Sequence, residues 1–183
     1  MQCSMFWVRA YYYLTTQQIR LDMKDIDQEL LKRLFRYEDG QLIRKCRVAN
    51  QTKGSVIGYK LNTGYVMASV NKKLYVLHRL VFLYHHGYVP KYIDHINGNR
   101  SDNRIENLRE CTRGQNIMNS KLHKNNKSGV KGVHWSKKYK KWVARVNVDK
   151  RPINVGYFNS LEDAEKAVNK AREKFHGDFC RHK

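Results

Sequence analysis

Cysteine is sparse and scattered: Cys3, Cys46, Cys111 and Cys180 stand far apart, and no two form a CxxC pair. That removes the usual sequence signature of a structural zinc centre, so no zinc is expected. No secretory leader is recognisable, which makes reduced thiols in a cytosol the simplest account. The apolar run MFWVRAYYYL at residues 5–14 is short and interrupted by Arg9, too little to cross a bilayer that asks for about 20 apolar residues, so no membrane partner is expected. Acidic residues are also scarce, with 16 Asp plus Glu against 36 Lys plus Arg, a formal charge of +20.

Such an excess gives the folded chain a strong positive field and points to a polyanionic partner. Charge made for solubility alone, or a ribosome-associated protein, are the competing readings, and charge distinguishes neither DNA from RNA nor binding from catalysis. A length of 183 residues allows one core of ordinary size or two small domains, not a large multidomain enzyme.

Met23 opens a charged stretch of helical period (Asp25, Ile26, Leu30, Leu31, Leu34) that reads as a natural beginning. Residues 1–22 are therefore expected to be a weakly ordered extension, or the product of an upstream start. From Gly40 to Leu77 the runs QLIRKC, SVIGYKL, GYVMASV and KLYVL are rich in β-branched and aromatic residues, separated by turn residues, and predict an antiparallel sheet of three or four strands. HRLVFLYHH (78–86) has helical spacing and is closed by Gly87 and Pro90. KLHKNNKSG (121–129) is polar and basic without apolar period and reads as a linker. Beyond it, VKGVHWS, KKWVARVNV and RPINVGYF predict three strands, and a helix starting near Ser160 offers Leu161, Ala164, Val168, Ala171 and Phe175 to cover them. Trp142 falls on the apolar face of the second strand.

The chemistry concentrates in YIDHINGNRSDNRIENLRECTRGQNIMN (92–119). A short strand ends in Asp94 and His95, a loop dense in Gly, Asn, Asp and Arg follows, and Ile105 to Cys111 is a second extended piece. Thr112 and Gln115 have the spacing of a capping box, which predicts a helix from about Arg113 that carries Asn116 on an early turn. A hairpin facing that helix start would gather Asp94, His95 and Asn116. A carboxylate and an amide oxygen are hard donors suited to one Mg²⁺ or Mn²⁺, and an adjacent imidazole titrating near neutrality can take a proton from water. Asn107 is available to hold the other ring nitrogen of His95. Each residue also has a bland reading: Asp94 and His95 as a local turn, Asn107 and Asn116 as partners for backbone groups. Asn97, Asn99, Asp102 and Asn103 are expected to shape the loop. Arg100, Arg104 and Arg109 are candidates either for phosphate contact or for surface ion pairs, His78 for a packed support, and His85, His86 and His123 receive no role.

DHINGNRSDNRIENLR followed by QNIMN, with HRLVF upstream, resembles the HNH endonucleases of the ββα-metal fold, especially phage and intron enzymes of homing type. The resemblance implies that Asp94 and Asn116 bind the metal, His95 is the general base and Asn107 orients it. SGVKGVHW, KKWVARV, VGYF and SLEDAEKAVNKAREKFHG are similar to the Apetala-type, ethylene-response-factor DNA-binding domain, whose sheet lies in the major groove. By position that places Lys131, His134, Ser136, Arg145, Asn147 and Asn154 toward DNA, with Arg145 able to contact guanine bidentately. Several sites where those domains carry Arg or Trp are here Ser, Asn or Pro152, so base preference does not transfer.

The expected architecture is thus α+β: a nuclease domain over 23–123, with a strand-rich part at 40–77 and a ββα core at 91–122, a linker at 124–129, and a three-stranded sheet with one packed helix at 130–183. The expected activity is cleavage or nicking of double-stranded DNA by a monomer in the host cytosol. A DNA-binding regulator that has lost cleavage and a basic RNA-binding protein are the alternatives.

Overall fold

The computed structural model describes residues 25–47, 51–148 and 151–182; the expected extension at 1–22 lies outside them. The fold is mixed α and β with small sheets, as the sequence implies. Contacts divide it into two compact units, one holding residues up to Pro90 together with Asn99–Leu108, the other holding Lys91–Gly98 and everything from Arg109. The division falls inside the 92–119 segment.

In the first unit, helix α1 (Gln28–Leu34) starts at Asp27, whose side chain accepts from Leu30 N at 2.7 Å. The helix ends at Leu34, as far as the helical period runs; the backbone turns extended at Phe35, and Phe35–Glu38 (β1) pairs antiparallel with Gln41–Arg44 (β2). Their turn, Asp39-Gly40, has positive φ at both residues, the geometry of a tight two-residue hairpin. A Cβ on Gly40 would fall 2.7 Å from the backbone N of Arg104, so only glycine fits there. Tyr59–Lys60 (β3), Val66–Val70 (β4) and Lys73–Val76 (β5) form the second sheet, in that order. The four expected strands therefore split between two sheets.

Helix α2 (Leu77–His86) buries Leu77, Leu80, Val81, Phe82 and Leu83 and ends on Gly87 in the left-handed region. Gln28 Nε2 donates to the carbonyls of Tyr84 and His85, which caps that end and joins α1 to α2. His78 sits buried on α2 with its ring 5.5 Å from that of Tyr65.

The second unit begins with strand β6 (Ile93–His95), buried at all three positions and paired with β7 (Leu108–Glu110). The residues before β7, Ile105–Asn107, form a 3-10 turn where an extended piece was expected. Helix α3 (Arg113–Met118) starts as the sequence predicts: Thr112 Oγ1 accepts from Gln115 N at 3.2 Å and Gln115 Oε1 accepts from Thr112 N at 2.8 Å.

Val133–Ser136 (β8), Lys141–Val148 (β9) and Arg151–Phe158 (β10) then build an antiparallel sheet with β9 central, covered by α4 (Leu161–His176). Ala144 and Val146 of β9 meet Ala164 and Val168 of α4, all essentially without exposure, and Trp142 packs against this core. Ser160 caps α4 by accepting from Asp163 N. Phe175, expected in the core stripe, is exposed, whereas Arg172 is buried at 2% exposure. Arg172 donates from Nη1 to the Arg181 carbonyl and from Nη2 to Asn169 Oδ1, while its Nε has no partner among the described residues. A short 3-10 turn, Gly177–Phe179, follows. Among the described residues, no helix is long and apolar enough to cross a membrane.

Candidate active site

β6 carries Asp94 and His95 side by side, each 5% exposed. The chain then turns, Gly98 N donating to the His95 carbonyl at 2.7 Å. A buried carboxylate requires compensation, because an unpaired charge removed from water costs several kcal/mol. Asp94 has two partners. Arg109, from β7, places Nε and Nη2 on Oδ2 at 3.0 and 2.9 Å. Asn119, the residue that ends α3, is 6% exposed and directs its amide nitrogen to Oδ1 and Oδ2 of Asp94, each at 2.9 Å, and to the His95 carbonyl at 2.9 Å. One amide thus ties the α3 end to both residues of the pair.

Asn119 was not singled out from the sequence, although it closes the QNIMN run three residues after Asn116. That spacing was the available signal, because residues i and i+3 of a helix share a side. The same argument puts Asn116, exposed on α3, one turn away on the side from which Asn119 reaches Asp94. The structure therefore gathers Asp94, His95 and the Asn116 side of α3 within one unit. Asn107 belongs to the other unit, where it is buried and its Nδ2 donates to the Asp102 carbonyl at 2.8 Å.

The donor set fits a hard divalent cation. Among the described residues, Oδ2 of Asp94 receives two bonds from Arg109 and a share of the Asn119 amide, whereas Oδ1 receives only that share, which leaves Oδ1 lone-pair capacity for an ion. An amide oxygen such as that of Asn116 on α3 is a hard donor of the same class. Among the described residues no group of three or more His, Cys, Asp or Glu gathers, so a site here rests on one carboxylate and an amide. Nearby, burial and the Asp94 charge push the Cys111 thiol up to about 11, which keeps it protonated at neutral pH.

The arginines expected near phosphate all have internal partners. Arg104 forks onto Asp102, Nε to Oδ1 at 2.9 Å and Nη2 to Oδ2 at 2.8 Å. Arg100 donates to the Thr63 carbonyl and lies 4.9 Å from the Tyr65 ring centroid. Arg109 is the partner of Asp94.

Lys131 also lies elsewhere than on an outward sheet face: its ammonium donates to the carbonyls of Met118 and Ser120 at 2.7 Å each, closing the open end of α3. Burial, with the charges of Arg172 and Arg181, lowers its pKa to about 8.

The remaining sheet residues do share a face. Successive strand residues alternate sides, and register aligns His134 with Val143 and Tyr157, Ser136 with Lys141, Arg145 with Asn154, and Asn147 with Pro152, all opposite the helix-covered side. Tyr157, 42% exposed, meets Tyr139 edge to face at 5.0 Å, an aromatic pair that alternation alone did not reveal.

The family model for HNH endonuclease matches residues 75–118, from the end of β5 through α3. Protein 3.8 of Escherichia phage T7 is 36% identical over 97 residues, which cover 52% of this chain and 79% of that protein. No solved structure matches the chain. With the Asp94-His95 strand, the capped helix and the phage relative agreeing, the chain belongs to the HNH endonuclease family.

Proposed function

We propose that this chain is a metal-dependent endonuclease that cuts or nicks double-stranded DNA, a phage enzyme of homing type acting as a monomer in the cytosol of its host. The observation that carries this reading is the buried Asp94 carboxylate beside His95, whose Oδ1 accepts from Asn119 and not from Arg109, within the unit that also holds the helix bearing Asn116. Asp94 and Asn116 hold one Mg²⁺ or Mn²⁺. When bound, the ion supplies Lewis acidity to the scissile phosphate and neutralises the leaving alkoxide. His95 takes the proton from the attacking water on a ring nitrogen, worth roughly 10²–10⁴ in rate for a well-placed base.

Placement on DNA falls to the outward face of the β8–β10 sheet. Arg145, on its central strand, has the fork for a guanine edge, and His134, Ser136, Asn147 and Asn154 flank it. Arg100 and Arg104, both exposed, add phosphate contacts beside their internal bonds. Lys131 and Arg109, held within the fold, act through structure instead.

A second reading, a DNA-binding regulator without cleavage, is favoured by one observation: Arg109 and Asn119 already engage Asp94. One assay separates the two. Incubated with supercoiled plasmid and Mg²⁺ or Mn²⁺, the protein yields nicked or linear product, and EDTA abolishes it. His95→Ala loses at least a hundredfold in rate with DNA affinity within about twofold of the parent. A His95→Ala protein that cleaves at the parent rate overturns the base assignment, and a parent protein inert with either metal favours the regulator.

A further inference from the structure

Arg109 and the turn Gly177–Phe179 lie in the same compact unit, and together they reach the carboxylate at the centre of the candidate site. Both Nε and Nη2 of Arg109 go to the single oxygen Oδ2 of Asp94. Its third nitrogen, Nη1, donates to the Asp178 carbonyl at 2.8 Å. The guanidinium face lies over the Phe179 ring, 3.7 Å from the centroid, and the side chain is only 17% exposed. The C-terminal residues grip the same motif at a second point, where Arg181 Nη1 donates to the Asn97 carbonyl at 3.4 Å. Gly98 makes room for it: a Cβ there would fall 1.5 Å from that nitrogen.

The geometry points to Arg109 as a positioning residue for the metal ligand, held in place by Phe179. By taking Oδ2, the guanidinium fixes the rotation of the carboxylate and presents Oδ1 to the ion; the inference rests on the reading of Asp94 as a ligand given above. A planar fork stacked on a ring holds one orientation, which a lysine ammonium on a flexible stem does not. Partners one shell out from a metal ligand typically change metal affinity ten- to a hundredfold when removed. A stacked aromatic face under a guanidinium contributes a factor of about two to thirty to holding it. The turn Gly177–Phe179 therefore helps to build the nuclease centre.

The test is calorimetric titration of the full-length protein with Mn²⁺ in the absence of DNA, with thermal melting and DNA mobility shift run on every variant. Arg109→Lys is expected to weaken Mn²⁺ binding about tenfold or more. Phe179→Leu, which keeps apolar bulk but removes the ring face, weakens it several-fold, and Phe179→Tyr restores it. Binding of metal-free protein to DNA stays within about twofold throughout, and the loss of Mn²⁺ affinity does not track the melting temperature. Asp94→Ala separates the two levels of the argument. If it abolishes Mn²⁺ binding while Arg109→Lys and Phe179→Leu bind as tightly as the parent, the positioning role is wrong and the site stands. If Asp94→Ala binds Mn²⁺ normally, the site assignment itself fails.

Discussion

Asn119 offers a sharp test of how the centre is held. Its amide group is buried and its two N–H bonds are shared among Asp94 Oδ1 and Oδ2, the His95 carbonyl and, at 3.4 Å, the Ile96 carbonyl. Asn119→Leu preserves side-chain volume and removes every one of these donors. A hydrogen bond to a charged group is worth about 1.5–3 kcal/mol and one to a neutral carbonyl about 1 kcal/mol, so the expected loss is about 3 kcal/mol. Asn119→Asp is worse at neutral pH, since it sets a second carboxylate about 4 Å from the first, a repulsion of about 4 kcal/mol at an effective dielectric of 20. Two carboxylates so close share a proton, so lowering the pH through about 5 should recover part of that loss for Asn119→Asp and none for Asn119→Leu. Urea unfolding followed by circular dichroism reads both effects as midpoint shifts at constant slope. An Asn119→Leu protein within 0.5 kcal/mol of the parent refutes the claim that this amide compensates the buried charge.

Gly132 has φ +81, and a Cβ there would meet the Arg145 carbonyl oxygen at 2.4 Å, so Gly132→Ala should cost at least about 2 kcal/mol by the same urea assay. Thr112→Ala removes half of the capping box at α3 and is expected to cost about 1 kcal/mol while slowing plasmid nicking, because Asn116 rides on that helix. Lys131 has a folded pKa of about 8, below its unfolded value, so the unfolded chain binds more protons between pH 8 and 10.5 and stability rises with pH across that window. Partial exposure reduces the gain to on the order of 1 kcal/mol, and Lys131→Met should flatten this slope in pH-dependent melting. Arg145→Ala, on the outward sheet face, should lose about 1–3 kcal/mol of discrimination between DNA sites in competition mobility shifts, with melting unchanged.

What the sequence determined by itself was local. Capping at Thr112 and Ser160, the stop at Gly87, the strand runs after Gly40 and the alternation in β9 all depend on neighbours within a few residues, and they stand in the structure where short-range chemistry puts them. The strand at Phe35–Glu38, which the local pattern did not announce, shows the limit, since it exists through its pairing with β2. The adjacency of Asp94 and His95 was equally plain.

What only tertiary structure decided was where the charges go. Arg104, Arg109 and Lys131 look interchangeable as free cations in the sequence, yet one forks onto Asp102, one onto a buried carboxylate and one onto the carbonyls at a helix end. Asn119 became a central partner because it lies at the point where α3 ends against β6. A polar side chain declares its partner only when burial removes water as the alternative, and burial is a property of the assembled chain.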